Sequence, residues 1–129
     1  MLTEAATRPL FCRTGLNNTG RANVDGDSNT TIVLQDGQFN SGTATVKESG
    51  NTTTVDQTGL NNTGTANVDG FANTTTVAQI GQFNSGTATV NGSANTTTVD
   101  QDGFRNAATA LVTGDSNTLN ATMEGDFNR

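Results

Sequence analysis

Apolar residues in this chain are sparse, regularly spaced and mostly isolated. In the stretch NTTTVDQTGLNNTGTANVDGFANTTTVAQIG (residues 51–81), Val55, Val68 and Val77 stand among Thr, Asn, Gln and Gly. Those polar residues usually mark loops, yet NTTTV and the Q-x-G that follows it both return within the stretch. Repeats are sought before secondary structure. Cut every 22 residues from Arg13, the chain reads RTGLNNTGRANVDGDSNTTIVL, QDGQFNSGTATVKESGNTTTVD, QTGLNNTGTANVDGFANTTTVA and QIGQFNSGTATVNGSANTTTVD. A looser fifth unit, QDGFRNAATALVTGDSNTLNAT, follows, and MEGDFNR opens a sixth. Units one and three are most alike, as are two and four, so a 44-residue period overlies the 22.

Each unit divides into two 11-residue halves: a large residue, any residue, usually Gly, two more, then Asn. Asn falls at Asn18, Asn29, Asn40, Asn51, Asn62, Asn73, Asn84, Asn95, Asn106, Asn117 and Asn128 without a slip. Five positions separate each Asn from the next large residue, which is strand length, and β-branched residues fill them. Counting in twos puts Asn62, Gly64, Ala66 and Val68 on one face of one strand, and Asn73, Thr75, Val77 and Gln79 on one face of the next. These columns are nearly constant from unit to unit and are assigned inward; Thr63, Thr65, Asn67, Thr74, Thr76 and Ala78 point out.

Gly64 and Ala66 are small where Thr75 and Val77 are larger, which suits a thin two-sheet sandwich. Gly15, Gly37, Gly59, Gly81, Gly103 and Gly125 fall where the chain reverses, and Gly reaches positive φ cheaply. The expected fold is all-β: a β-solenoid with two short strands per 22-residue turn, about five turns, each about 4.8 Å above the last, stacking into a cross-β fibre. Its core is a set of columns. The inward Asn residues, with Gln35, Gln57, Gln79 and Gln101, form ladders in which amides bond along the axis, and a buried amide is costly only when unsatisfied.

Composition changes this picture little. The 129 residues suit one domain, and the 24 Leu, Ile, Val and Phe residues would by themselves lean towards disorder. The net charge of −6 and six scattered Lys and Arg residues argue against nucleic-acid binding. There is no His, and no catalytic, metal or cofactor site is expected; a calcium site at DGDSN (25–29) would lack a repeated carboxylate pattern. Asn-x-Thr sequons at Asn51, Asn73 and Asn95 read as by-products of inward Asn. Cys12 is alone, no apolar run is long enough to span a membrane, and the N-terminus shows no signal peptide. The outward acidic residues keep an assembly soluble.

The frame resembles the curlin repeat family, the subunits of bacterial curli fibres, with pattern Ser-x5-Gln-x-Gly-x-x-Asn-x-Ala-x3-Gln. Gln35, Gly37 and Asn40 match it, as do Gln57, Gly59 and Asn62; Gln79, Gly81 and Asn84; and Gln101, Gly103 and Asn106. Asn29, Asn51, Asn73 and Asn95 replace its Ser, and Val46, Val68, Val90 and Val112 its final Gln. Gly42, Gly64, Gly86 and Ala108 fall on its Ala. Arg13 stands where the first Gln would be. The resemblance implies a non-enzymatic subunit of an extracellular amyloid at the cell surface or in biofilm matrix. Its partner is itself, with a nucleator and a secretion pore as further candidates and no small-molecule substrate.

Residues 13–129 are the repeat domain. Residues 1–12 are expected to be either a disordered tail or one half of a subunit joint. Counting back from Arg13 places Leu2 in a large slot, Thr7 in the Asn slot, and Pro9 and Phe11 inward; at the other end Met123 takes the large slot, Gly125 the turn and Asn128 the ladder. Residues 123–129 and 1–12 together fall three short of one turn, so Thr7, Pro9, Phe11, Met123, Gly125 and Asn128 are the expected joint. Phe39, Phe83 and Phe127 precede Asn in alternate turns, with Leu60 and Phe104 one place earlier in others; they either stack within the corner or bundle fibres. The alternative function is ice binding, through outward Thr52 and Thr54, Thr74 and Thr76, and Thr96 and Thr98.

Overall fold

The computed structural model describes residues 7–129; residues 1–6, and with them Leu2 and half of the 1–12 segment, lie outside the described residues. Eleven strands alternate between two sheets. One holds β1 (Arg8–Leu16), β3 (Thr30–Gln38), β5 (Thr52–Leu60), β7 (Thr74–Gln82), β9 (Thr96–Phe104) and β11 (Thr118–Asp126). The other holds β2 (Thr19–Val24), β4 (Ser41–Lys47), β6 (Thr63–Asp69), β8 (Ser85–Asn91) and β10 (Ala107–Thr113). Every pairing is parallel and joins residues 22 apart: Val55 with Val77, Gln57 with Gln79, Gly64 with Gly86. This is a β-solenoid of about five turns.

The strands outrun the five positions read from the sequence. β5 continues past Gln57 through Gly59 to Leu60, which pairs with Gln82. In a stacked coil each residue has an equivalent neighbour one turn away, so backbone pairing persists where the side-chain alternation stops. Corner residues pair along the axis too: Ser41 N–H donates to the Asn62 carbonyl at 2.8 Å and Asn61 N–H to that of Gln38 at 3.0 Å.

Within strands, burial alternates in step. Among the described residues the buried apolar side chains are Val and Ala: Val33, Val55, Val77 and Val99 pack with Ala44, Ala66, Ala88 and Ala110, beside a column of Val46, Val68, Val90 and Val112. The largest fully buried side chains are Gln57, Gln79 and Gln101. A core so poor in hydrocarbon depends on polar groups being paired. The described residues contain no helix, hence none that could cross a membrane, and no cluster of three His, Cys, Asp or Glu placed to hold a metal.

Candidate functional site

The Gln column runs through the middle of the larger sheet. Gln35 Nε2 donates to Gln57 Oε1 at 2.9 Å, Gln57 to Gln79 at 2.8 Å and Gln79 to Gln101 at 2.8 Å. The second proton of each amide goes across the sandwich to a carbonyl: Gln35 to Thr19, Gln57 to Ser41, Gln79 to Thr63 and Gln101 to Ser85. The column therefore has a sense. At its start Gln35 Oε1 is buried with no partner, and at its end Gln101 meets the Met123 sulfur at 3.9 Å.

The space for these amides comes from Gly42, Gly64 and Gly86 on the opposite sheet. A Cβ built on Gly64 would lie 2.9 Å from Val55 Cγ1, 3.1 Å from Gln79 Oε1 and 3.2 Å from Gln57 Nε2. In the last turn Ala108 replaces Gly, and the residue that would follow in the Gln column is Met123.

The Asn columns occupy the two corners and work differently. The sequence reading has each Asn amide bonding the next Asn amide, but the principal partners are backbone groups. Asn62 Nδ2 donates to the Thr58 carbonyl at 3.2 Å and to the Gly81 carbonyl of the next turn at 3.0 Å; its Oδ1 accepts from Asn84 N–H at 3.0 Å. Asn40, Asn84 and Asn106 repeat the set. At the other corner Asn73, Asn95 and Asn117 also donate to the preceding Asn Oδ1 at 3.1 Å. The Asn side chain is too short to leave the corner, and there it meets backbone groups that sheet pairing leaves free. Asn29 through Asn106 are buried; Asn18, Asn117 and Asn128, at the ends of their columns, are more open.

Each corner needs left-handed backbone twice. Gly59 has φ +124° and Asn61 φ +55°; Gly70 has φ +133° and Ala72 φ +55°. A Cβ on Gly59 would lie 1.9 Å from the Gly81 carbonyl oxygen, so Gly is required by contact as well as by φ. Gly15, Gly37, Gly81 and Gly103 meet the next turn in the same way; Gly125 has φ +92° and no such neighbour in this chain. One corner departs. Glu48 (φ +67°) holds the place of Gly70, with the glycine moved to Gly50, and Asn29 Nδ2 reaches the Glu48 carbonyl at 2.6 Å.

The residues around the first turn keep the frame. Thr7 Oγ1 donates to the Gly26 carbonyl at 2.7 Å and receives Asn29 N–H at 3.4 Å, a hydroxyl in the Asn slot. Pro9 pairs with Thr31, and the Phe11 ring lies against Gly20. Met123 is half-buried in the Gln column. Cys12 is exposed on β1.

Periodicity alone did not reveal two features. The inward hydroxyls of Thr31, Thr53, Thr75 and Thr97 are buried without a hydrogen-bond partner. Outward Asp56 is flanked by Leu34 and Ala78, and partial burial pushes its carboxyl above the ordinary carboxylate range. Polar columns, corner clasps and a Val–Ala core make a device for stacking like on like. No curated protein and no solved structure matches the chain. Residues 70–103 and 92–122 do match the curlin associated repeat, and the same columns continue through the turns on either side of them, so the matched stretch shares its frame with the rest of the coil.

Proposed function

We propose that the protein is a structural subunit that self-assembles head to tail into extracellular, curli-like amyloid fibres of a biofilm matrix. One observation carries the reading: every column repeats at 22 residues in parallel register, so the upper edge of one turn fits the lower edge of any other. Among the described residues, β1 and β11 are the two edges of the same sheet, each with one side unpaired. An unpaired edge with matching amide and glycine columns is a template for another copy. The joint is assigned to Met123, Gly125 and Asn128 on one side and Thr7, Pro9 and Phe11 on the other, all in their column positions. A nucleator and a secretion pore are the partners such a subunit would need. No catalytic step belongs to this reading.

The test is to incubate the purified 129-residue chain without cofactor and image it. Unbranched fibres with a cross-β spacing of about 4.8 Å are expected. A chain that stays monomeric for days at high concentration would overturn the reading.

Ice binding has one observation in its favour. Thr30, Thr52, Thr74, Thr96 and Thr118 stack in a single outward column, with Thr54, Thr76 and Thr98 beside three of them. Ile32 and Asn120 end the second column. Thermal hysteresis in the monomer would establish that reading, and none is expected.

A further inference from the structure

The two corners of the solenoid carry different surfaces. At the corner that leads from the larger sheet to the smaller, each turn places one apolar residue outward: Leu16, Phe39, Leu60, Phe83, Phe104 and Phe127. They alternate between two neighbouring positions, with Asn17, Gln38, Asn61 and Gln82 in the first four gaps and Arg105 and Asp126 in the last two, so the ridge zigzags with the 44-residue period. Leu16 and Phe127 are each 62% exposed, Phe39 49% and Phe83 41%. Stacking within the corner accounts for part of it. Phe83, Phe104 and Phe127 meet edge to face at 5.7 and 5.4 Å, with the Arg105 guanidinium 5.1 Å from the Phe104 ring. Leu16 and Phe39 are outside that cluster.

From Leu16 to Phe127 the ridge spans five rises, about 24 Å. Its first four corners hold one charged residue, Asp36. Its last two hold Asp102, Arg105, Glu124 and Asp126, while the first four opposite corners hold Asp25, Asp27, Lys47, Glu48 and Asp69. In a chain of net charge −6, copies approach each other most easily along the nearly uncharged stretch of the ridge from Leu16 to Phe83.

We infer that this ridge is the surface through which fibres of this protein pair side by side, the partner being a second copy. Knobs and gaps that alternate every turn are matched by the same alternation on a copy slid by one turn. A partner without that period would meet only some of them. One ridge is a thin apolar strip, too small to hold two single subunits together. Along a fibre the contact is repeated in every subunit, and its strength multiplies without any new chemistry. This inference rests on the fibre reading.

The chain's own corners supply a test that leaves the fold alone. Asn17 and Asn61 already occupy the left-handed position of Phe39 and Phe83, and Gln38 and Gln82 occupy the position before it, which holds Leu16 and Leu60 in alternate turns. The variant Leu16→Gln, Phe39→Asn, Leu60→Gln, Phe83→Asn uses only residues the corner accepts. The control is Phe71→Ser on the opposite corner, where Ser49 and Ser93 stand in neighbouring turns. Filament width is read by electron microscopy, and bundling by sedimentation across a salt series.

Wild-type and Phe71→Ser fibres should bundle more as salt rises. The fourfold variant should form single fibres at the normal rate, with bundling down about tenfold or more. Equal bundling by the variant overturns the ridge and leaves the fibre reading standing, as would wild-type fibres that never pair. Wild-type fibres that stay single but attach through the ridge to polystyrene beads would assign it to foreign apolar surfaces, against self-pairing. A wild type that forms no fibres removes both readings.

Discussion

Gln57 and Asn62 lie five residues apart in one turn, carry the same amide and are both fully buried, yet they do different work. Gln57 reaches into the sandwich, bonds the next Gln and fills the volume that Gly64 leaves open. Asn62, one methylene shorter, stays in the corner and ties three backbone groups of two turns together. Each amide column is coupled to a glycine column, for opposite reasons. Gly64 yields space to a side chain. Gly59 lets the Gly81 carbonyl sit where a Cβ would otherwise stand. The lesson is that an amide ladder is two devices: an axial chain in mid-sheet and a clasp on the backbone at the bend.

The largest effect should come from the clasp's glycine. Gly59→Ala places a methyl 1.9 Å from a carbonyl oxygen at φ +124°, where neither group is free to move. Loss of more than about 4 kcal/mol is expected, seen as loss of the cooperative thermal transition by circular dichroism. Retention of a normal melt would mean that the corner is looser than the carbonyl contact requires.

Next come the amides. Asn62→Ala leaves Asn84 N–H and the Gly81 carbonyl unpaired, and should cost about 3 kcal/mol in urea unfolding. Gln57→Met, a residue the column already accepts at Met123, keeps the volume, orphans the Ser41 carbonyl and Gln79 Oε1, and leaves Gln35 Nε2 facing a sulfur as Gln101 Nε2 does; about 1–2 kcal/mol is expected. Equal costs would erase the distinction between clasp and ladder.

The Thr column tests the same rule in reverse. Thr53 has a buried hydroxyl with no partner, and Val is its near-isostere. Thr53→Val should stabilise by about 1 kcal/mol, raising the urea midpoint. A destabilised variant would show that the hydroxyl is bonded in solution.

The smallest effect belongs to Asp56, which faces outward. A carboxyl raised by burial takes up its proton more readily in the folded protein than in the unfolded chain. Its contribution therefore favours folding at acid pH, and declines as pH rises from the ordinary value of 3.8 through the raised one. Asp56→Asn should flatten that part of the stability profile between about pH 3 and pH 7. A profile of unchanged slope would place the carboxyl in open water.

Much of this was legible without coordinates. The period of Asn, the Gln slots, the inward Val and Ala and the reversing Gly could be read because a stacked turn must present its neighbour with a matching surface. Asn residues that recur every eleven positions leave few other folds open. The bonds of those Asn residues were not legible, since amide-to-amide and amide-to-backbone contacts require the same residue at the same spacing. The departure at Glu48 could be seen as a broken column, but not its remedy, a glycine two places later. The unpaired Thr hydroxyls were hidden because Thr and Val read alike in a strand.

What the sequence determined by itself was the repeat: a parallel coil, its 22-residue register and the residues that face inward. Periodicity carries that information because each column needs the same residue type in turn after turn. Tertiary structure alone decided what each polar group holds. Two left-handed residues per corner aim the short Asn at the backbone, while the reversal of the chain sets Gln against Gly across the sandwich. Apart from the carbonyl four residues back, the bonded partners lie 16 to 22 residues away, and only the folded geometry brings their atoms within a bond.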